Sequence, residues 1–289
     1  MKNSKLVSVY IPTYNRPKLL KRAVLSVLEQ SYNYIEVIIC SDGEDKEVEE
    51  LVESLRGEHK ERNIIYVANE PKSGACDSRN LAISVARGHY IMGLDDDDYL
   101  HKEAIETLVS HWNDDYLFLS ISSYFLSEKY KLCTKLFYLL GDTFSKKKKT
   151  ITYLDMYKKN VVGNQIFVKS SLLKSNVFDN RMPALQDFEL WFRLLKNHKN
   201  LQAVKLKFRL QYVDVHHGEE RISKYKNRLN ALAIIKKKHF EENEDAFKIL
   251  RLSWKLEYSK QLSVKDIMVL VTNGHAINVV KFVIRKLAR

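Results

Sequence analysis

Glycine and proline are scarce, at nine and four among 289 residues. That excludes a collagen-like repeat and a Pro/Gly-rich disordered chain. Cysteine is scarcer still. Cys40, Cys76 and Cys133 are too few and too scattered for a disulfide framework, and no Cys-x-x-Cys or Cys/His cluster points to zinc. A reducing compartment suits that usage. No run of about 18 uncharged apolar residues exists, which argues against a spanning helix. The opening MKNSKLVSVYIPTYN has a charged start but too short an apolar run for a signal peptide, and it reads as a first strand. Three nucleotide and nucleophile signatures are missing as well. There is no G-x-G-x-x-G after the first strand, no G-x-x-x-x-G-K-[ST] and no G-x-S-x-G elbow.

What is present suffices for a core, with 45% hydrophobic residues. The net charge is +12, unevenly placed: residues 222–289 carry 15 Lys/Arg against 6 Asp/Glu, while the first 221 residues carry 33 against 30. The basic character therefore belongs mostly to the tail.

The first hundred residues alternate between strand and helix patterns. Leu6–Pro12 reads as a buried strand, and Pro17 opens a helix whose apolar stripe runs through Gln30. Ile35–Cys40 is a second strand, residues 45–56 an acidic helix and Ile64–Val67 a third strand. Ser78–Arg87 is a helix ending at Gly88, and Tyr90–Leu94 is a fourth strand. This β-α-β-α-β-α-β order predicts a doubly wound, largely parallel α/β sheet, with ligands at the carboxyl ends of its strands. Further on, Tyr116–Phe125, Lys131–Leu140, Gln165–Lys169 and Leu201–Val213 read as strands. Lys146–Lys149 reads as a basic loop, Asp187–Lys196 as a helix, and the chain from about 222 as helices.

The fourth strand runs into Asp95, Asp96, Asp97 and Asp98. Four adjacent carboxylates repel one another unless solvated or neutralised by a cation. In extended backbone, Asp95 and Asp97 share one side and can converge on a ligand. Oxygen donors suit Mg²⁺ or Mn²⁺, above all where phosphates complete the shell. The competing interpretation is a helix N-terminus, where acids are favoured by the macrodipole. A calcium loop is excluded by the missing Gly and distal Glu.

Three segments carry a resemblance. VSVYIPTYNRPKLLKRAVLSVLEQSYNYIEVIICSDG at 7–43, GACDSRNLAISVARGHYIMGLDDDDYL at 74–100 and GNQIFVKSSLLKSNVFDNRMPALQDFELWFRLL at 163–195 resemble family 2 glycosyltransferases. These are inverting, GT-A-fold enzymes that use nucleotide sugars. The resemblance spans about residues 5–220. It implies that Pro12, Thr13 and Tyr14 line the nucleotide pocket, with Thr13 acting largely through its backbone. Asp42 would bind uracil or its ribose, and Arg79 the base or the diphosphate. Asp95 would contact ribose or metal-bound water, Asp96 would lie on the nucleotide side, and Asp97 would ligate the metal with Asp98 in support. Asp187 would be the catalytic base, and His216 or His217 would reach the metal or diphosphate from a closing loop. Two departures stand out: Ser41-Asp42 and Gln186-Asp187 each hold one acid where the family often has two. The residues alone leave Asp187 open as an ordinary acid in a helix first turn. Trp191 is open between an acceptor platform and the core. Cys40 and Cys76 read as inert buried thiols.

The expectation is thus a GT-A domain over 1–221, with a nucleotide-sugar half over 1–112 and an acceptor half over 113–221. A basic helical extension covers 222–289. The expected activity is transfer of one sugar from a UDP-sugar, with Mn²⁺ or Mg²⁺, to a saccharide acceptor, lipid-linked as in O-antigen and other surface polysaccharide assembly. The expected location is cytoplasmic and peripheral to the inner face of the cell membrane. The segment 275–289 supports that location. It sets Asn278, Lys281, Arg285 and Arg289 against Ile277, Val280, Val283, Ile284 and Leu287. Rival readings are a nucleotidyltransferase, a non-catalytic nucleotide-binding member of the fold, and a nucleic-acid-binding protein. The acidic strand end argues against the last, and no nucleic-acid partner is expected.

Overall fold

A computed structural model describes residues 5–71, 73–126, 148–157, 159–214, 225–258, 262–276, 279–280 and 282–283. The chain divides into two compact units. One comprises 1–150, 162–180 and 198–220, and the other 151–161, 181–197 and 221–289.

The first unit begins β1 (Val7–Thr13), α1 (Pro17–Leu28), β2 (Ile35–Ser41), α2 (Lys46–Glu58), β3 (Asn63–Ala68), α3 (Ala75–Val85) and β4 (Tyr90–Gly93). Every residue of β1, β2 and β4 is buried, as continuous apolar runs in a two-sided sheet require. Pro17 opens α1, and Leu20, Ala23, Val24, Val27 and Leu28 form its buried stripe. Asp45 caps α2 by accepting from the amides of Glu47 and Val48. The chain continues through β5 (Asp98–Leu100), α4 (Ala104–His111), β6 (Tyr116–Leu126), β7 (Lys148–Ile151), α5 (Tyr153–Met156), β8 (Phe167–Lys169), α6 (Ser170–Lys174), α7 (Gln186–Asn197) and β9 (Gln202–Asp214). Of these, α5 and α7 belong to the second unit.

The nine strands form one sheet in the order β3-β2-β1-β4-β8-β6-β9-β5, with β7 also paired to β9. The pairs β3–β2, β2–β1, β1–β4 and β6–β9 are parallel, and β4–β8, β8–β6 and β5–β9 antiparallel. The largely parallel α/β sheet expected from the sequence is present. Its core joins β1, β2 and β4 to α1, α2 and α4 through residues such as Val9, Ile11, Leu20, Val24, Ile39, Val52 and Leu108. Gly93 ends β4 because nothing larger fits there. A Cβ would meet the Gln165 amide oxygen and, at 2.6 Å, the Tyr10 ring. Cys40 and Cys76 are buried, and burial pushes the Cys40 thiol up to about 12, as inert thiols should be.

One local expectation changes: Lys148 and Lys149, read as part of a basic loop, instead begin β7, because they pair with β9. Two open alternatives are decided. The aspartates do not open a helix: Asp98–Leu100 pairs as a short strand with β9, and α4 starts only at Ala104. Trp191 is fully buried, so it is a core residue and not an acceptor platform. The expected strand at 131–140 and the residues His216, His217, Ile277, Asn278, Lys281, Ile284, Arg285, Leu287 and Arg289 lie outside the described residues.

The second unit adds α8 (Tyr225–His239), α9 (Glu244–Tyr258) and α10 (Val264–Leu270), the helices expected beyond 222. It also takes in α5 and α7, from upstream of the boundary the sequence suggests at 221. Phe192 stacks on Phe240 at 5.3 Å between ring centroids, Phe188 meets Trp254 edge-on at 5.5 Å, and Tyr157 meets Phe240 at 5.1 Å. Among the described residues no helix is long and apolar enough to cross a membrane.

Candidate functional site

The carboxyl ends of the parallel strands are stitched together by backbone bonds. Asp42 donates its amide to the Thr13 carbonyl at 3.0 Å, Asn69 to Ser41 at 3.1 Å, and Leu94 to Tyr10 at 3.0 Å. The loops after β1, β2, β3 and β4 therefore meet at one edge, where ligands bind in such sheets. In the first loop Pro12 is buried, and the Tyr14 side chain is 50% exposed. Asn15 takes φ +51°, a left-handed turn that asparagine tolerates better than most residues. In the second loop the Asp42 carboxylate accepts the amide of Gly74 at 3.1 and 3.2 Å. Gly74 caps α3 with φ +91°, a conformation that suits a residue without Cβ.

The four aspartates separate into two sets. Asp96 turns inward, 1% exposed, where it accepts from the Thr13 hydroxyl at 2.8 Å and pairs with Arg16 at 2.5 Å. Burial pushes its carboxyl up to about 7 against the pull of Arg16 and Thr13. Asp95, Asp97 and Asp98 gather on the other side, each offering an oxygen within 4.8 Å of the others. Asp95 accepts from Arg79 at 3.0 Å and from Asn164 at 3.2 Å. Burial, the largest single effect, opposes the Arg79 charge, but the charge and hydrogen bond of Asp95 together with Tyr10 and Cys76 outweigh it, and the guanidinium pKa stands raised. Asp98 is 1% exposed and accepts from Asn164 and Gln211, both at 2.8 Å, and from the Asp214 amide at 3.3 Å. Burial, then the charges of Asp95 and Asp97, raise Asp98 to about 8, so in the bare cluster its ionised form is disfavoured. Arg22 holds the backbone of the run, donating to the Asp97 carbonyl at 2.6 Å and to the Asp214 carboxylate at 2.9 Å.

Three carboxylates so close, with their amide partners at the periphery, form an all-oxygen donor set. That set fits a hard divalent cation such as Mg²⁺ or Mn²⁺ and not a thiophilic metal. Asp95, left by the resemblance between ribose and metal-bound water, shares this cluster with Asp97 and Asp98. Thr13 contributes its hydroxyl to Asp96 in addition to its backbone.

Asp187 lies in the second unit, in the first turn of α7, half-buried, and accepts from the Asn160 side chain at 3.1 Å. Leu185, two residues before it, has φ +59°. A branched side chain in that region marks backbone strain held by its surroundings, a feature that concentrates at functional sites. Gln186 donates to the Met182 carbonyl at 3.1 Å.

Several contributors escape sequence reasoning. Arg16, Arg22, Asn164, Gln211 and Asp214 surround the carboxylates from 66 to 116 residues away along the chain, or across the first loop. Only their place inside the quoted motifs, for Arg16, Arg22 and Asn164, could have flagged them. In the second unit Glu189 is fully buried on α7, with Lys238 at 2.5 Å, His239 at 3.1 Å and Arg193 at 3.2 Å. Burial would raise its carboxyl, but these partners together hold it down at about 2. The signal was one acid amid the apolar run Phe188, Leu190, Trp191 and Phe192, a place where an acid survives only if paired.

Residues 8–168 match the sequence profile of Glycosyl transferase family 2. WcaA of Escherichia coli K12, a glycosyl transferase assigned to colanic acid biosynthesis, is 30% identical over 267 residues, covering 87% of this chain and 88% of its own. WfaP of Escherichia coli, a UDP-Glc:alpha-D-GlcNAc-diphosphoundecaprenol beta-1,3-glucosyltransferase, is 27% identical over 234 residues, covering 80% of this chain and 86% of its own. The crystal structure of S. aureus TarS 1–349 in complex with UDP-GlcNAc superposes with a TM-score of 0.63 over 92% of this chain and 79% of that one. At 18% identity that likeness speaks for the fold.

Proposed function

The chain belongs to glycosyltransferase family 2, and from that premise we propose that it transfers one sugar, with inversion, from a UDP-sugar to a lipid-linked saccharide during surface polysaccharide assembly, O-antigen among the candidates. The observation that carries the donor side is the cluster of Asp95, Asp97 and Asp98 at the end of β4, beside Thr13 at the end of β1, the loops that hold Tyr14 and Asp42, and Arg79 on α3. A nucleoside diphosphate needs this combination: a base pocket built from backbone and one carboxylate, a guanidinium, and acids that hold a cation.

Asp97 and Asp98, with Asp95, would hold Mn²⁺ or Mg²⁺. When bound, the cation offsets the charge that builds on the diphosphate leaving group. Arg79 stays charged beside Asp95 and adds a fixed donor for the nucleotide. Asp42 and Tyr14 flank the base, and Asp96, tied to Thr13 and Arg16, fixes the first loop against the fourth. Asp187 would take the proton from the acceptor hydroxyl. That oxygen forms its bond to the anomeric carbon, and the bond to the diphosphate oxygen breaks with its electron pair leaving on UDP. Asn160 orients the Asp187 carboxylate for this step. The UDP choice and the lipid-linked acceptor are supported by the named activity of WfaP. A lipid-linked acceptor in turn suggests work at the cytoplasmic face of a membrane, through the basic C-terminal segment.

The test is a thermal-shift panel of nucleoside diphosphates and nucleotide sugars, with and without Mn²⁺, on wild type and Asp97→Ala. A ligand that binds the folded state raises Tm by mass action. The expected result is a metal-dependent shift with UDP or a UDP-sugar that Asp97→Ala loses. No shift with any nucleotide overturns the proposal.

A further inference from the structure

Among the described residues, ten large apolar side chains are conspicuously exposed, and five of them fall within 264–283. That concentration needs a cause, because scattered exposed valines are ordinary and clustered ones are not. Helix α10 already has an inward face: Leu270 is fully buried, and Ile267 and Val269 pack with it against Leu252, Leu256 and Val279. Its outward face is apolar too. Val264 is 75% exposed, Met268 65% and Val271 45%. At spacings i, i+4 and i+7 these three form a single stripe, roughly 10 Å long. Past the break at Gly274, whose φ is +83°, Val280 and Val283 add exposed apolar surface.

In the sequence, the segment that carries this stripe is charged mostly with one sign. Residues 262–289 contain five Lys/Arg and a single acid, Asp266. That acid is occupied: its carboxylate accepts from the Ser263 amide at 3.1 Å and from Lys255 at 3.2 Å. Lys265, beside Val264, is exposed. Apolar side chains in a narrow stripe, with the Lys265 ammonium beside it and a basic sequence following, match a bilayer interface rich in anionic lipid, where the stripe enters the acyl boundary and a cation meets headgroup phosphates. A second copy of the chain is a poorer occupant, since two molecules of net charge +12 repel and the stripe offers no aromatic anchor.

We infer that Val264, Met268 and Val271, extended by Val280 and Val283, dock this protein on an anionic lipid bilayer. The inference deepens the membrane-surface reading under Proposed function and rests on it, but not on the donor site. It moves the contact from the basic C-terminal segment expected from the sequence to a stripe at α10.

The test is co-sedimentation of the full chain with vesicles of phosphatidylcholine alone and with phosphatidylglycerol added, for wild type, Val264→Asp/Met268→Asp and Lys265→Glu. Both altered positions are exposed, so an unchanged Tm will certify the fold. Wild type should bind the anionic vesicles, bind neutral ones poorly, and let go at high salt. The double variant should lose about tenfold or more in affinity, and Lys265→Glu less. Equal binding by wild type and double variant, or no binding by wild type, overturns the inference. So does a wild-type dimer in light scattering that the double variant turns to monomer, because the stripe would then belong to a second copy. The UDP thermal shift, read on the same samples, separates the two proposals. A lost nucleotide shift with intact vesicle binding removes the donor reading and leaves the dock.

Discussion

Arg79 and Asp95 form a half-buried ion pair, Nη2 to Oδ1 at 3.0 Å, that ties α3 to the end of β4. Asn164 donates to the other Asp95 oxygen at 3.2 Å. Arg79→Ala removes a charged donor from the nucleotide side and loosens Asp95 together. A hydrogen bond to a charged group is worth roughly 1.5–3 kcal/mol, so UDP affinity in the presence of Mn²⁺ should fall about 10- to 100-fold. Calorimetric titration measures it. Unchanged affinity would mean that the pair only braces the fold.

Asp97→Ala should abolish the dependence of nucleotide binding on Mn²⁺, and a chelator should do to wild type what the substitution does. Turnover should drop by roughly 10²-fold or more in both cases. A wild type indifferent to chelator would remove the cation from the account.

Asp187→Asn keeps the shape of the side chain and the bond to Asn160 but cannot take a proton. Losing a general base costs roughly 10²–10⁴ in kcat. UDP affinity should stay within twofold or so, since the change removes a transition-state interaction. Equal losses in binding and turnover would instead make Asp187 a structural acid of the α7 first turn.

Glu189 offers a pH prediction. Its folded pKa of about 2 lies below its ordinary 4.5. A depressed carboxylate stabilises the fold above the ordinary value, by roughly 3 kcal/mol here, and that contribution disappears as pH falls from about 4.5 to about 2. Glu189→Gln also leaves Lys238 and Arg193 facing a neutral amide. Its Tm should sit well below wild type at pH 7, and the two curves should converge in acid. Curves that stay parallel down to pH 3 would show that the ion cluster adds nothing.

Gly93→Ala should lower Tm by several degrees, because its Cβ has no room against Gln165 and Tyr10. It should also lower turnover, since the chain two residues on holds Asp95.

The first four strands were legible because each is a self-contained apolar run, so expected and observed bounds differ by a residue or so. Ile35–Cys40 became Ile35–Ser41, and Leu6–Pro12 became Val7–Thr13. β5 was not legible. Asp98–Leu100 has no strand pattern of its own and exists because β9 pairs with it, 111 to 115 residues away. The carboxylate run announced a site, but which acid faces which way was decided by Arg16, Thr13 and Asn164, whose approach no local pattern encodes. Trp191 shows the same limit from the other side. Its amphipathic character allowed two roles, and only the packing of α7 chose burial.

The second unit is assembled from three separated stretches, and α7 is its centre. Phe188 and Phe192 have no exposed surface, and the rings that cover them include Trp254 and Phe240. During synthesis those rings emerge last. The helix bearing Asp187 therefore leaves the ribosome some fifty residues before the aromatic lid that covers it, and a chain stopped at 221 would carry that greasy face bare.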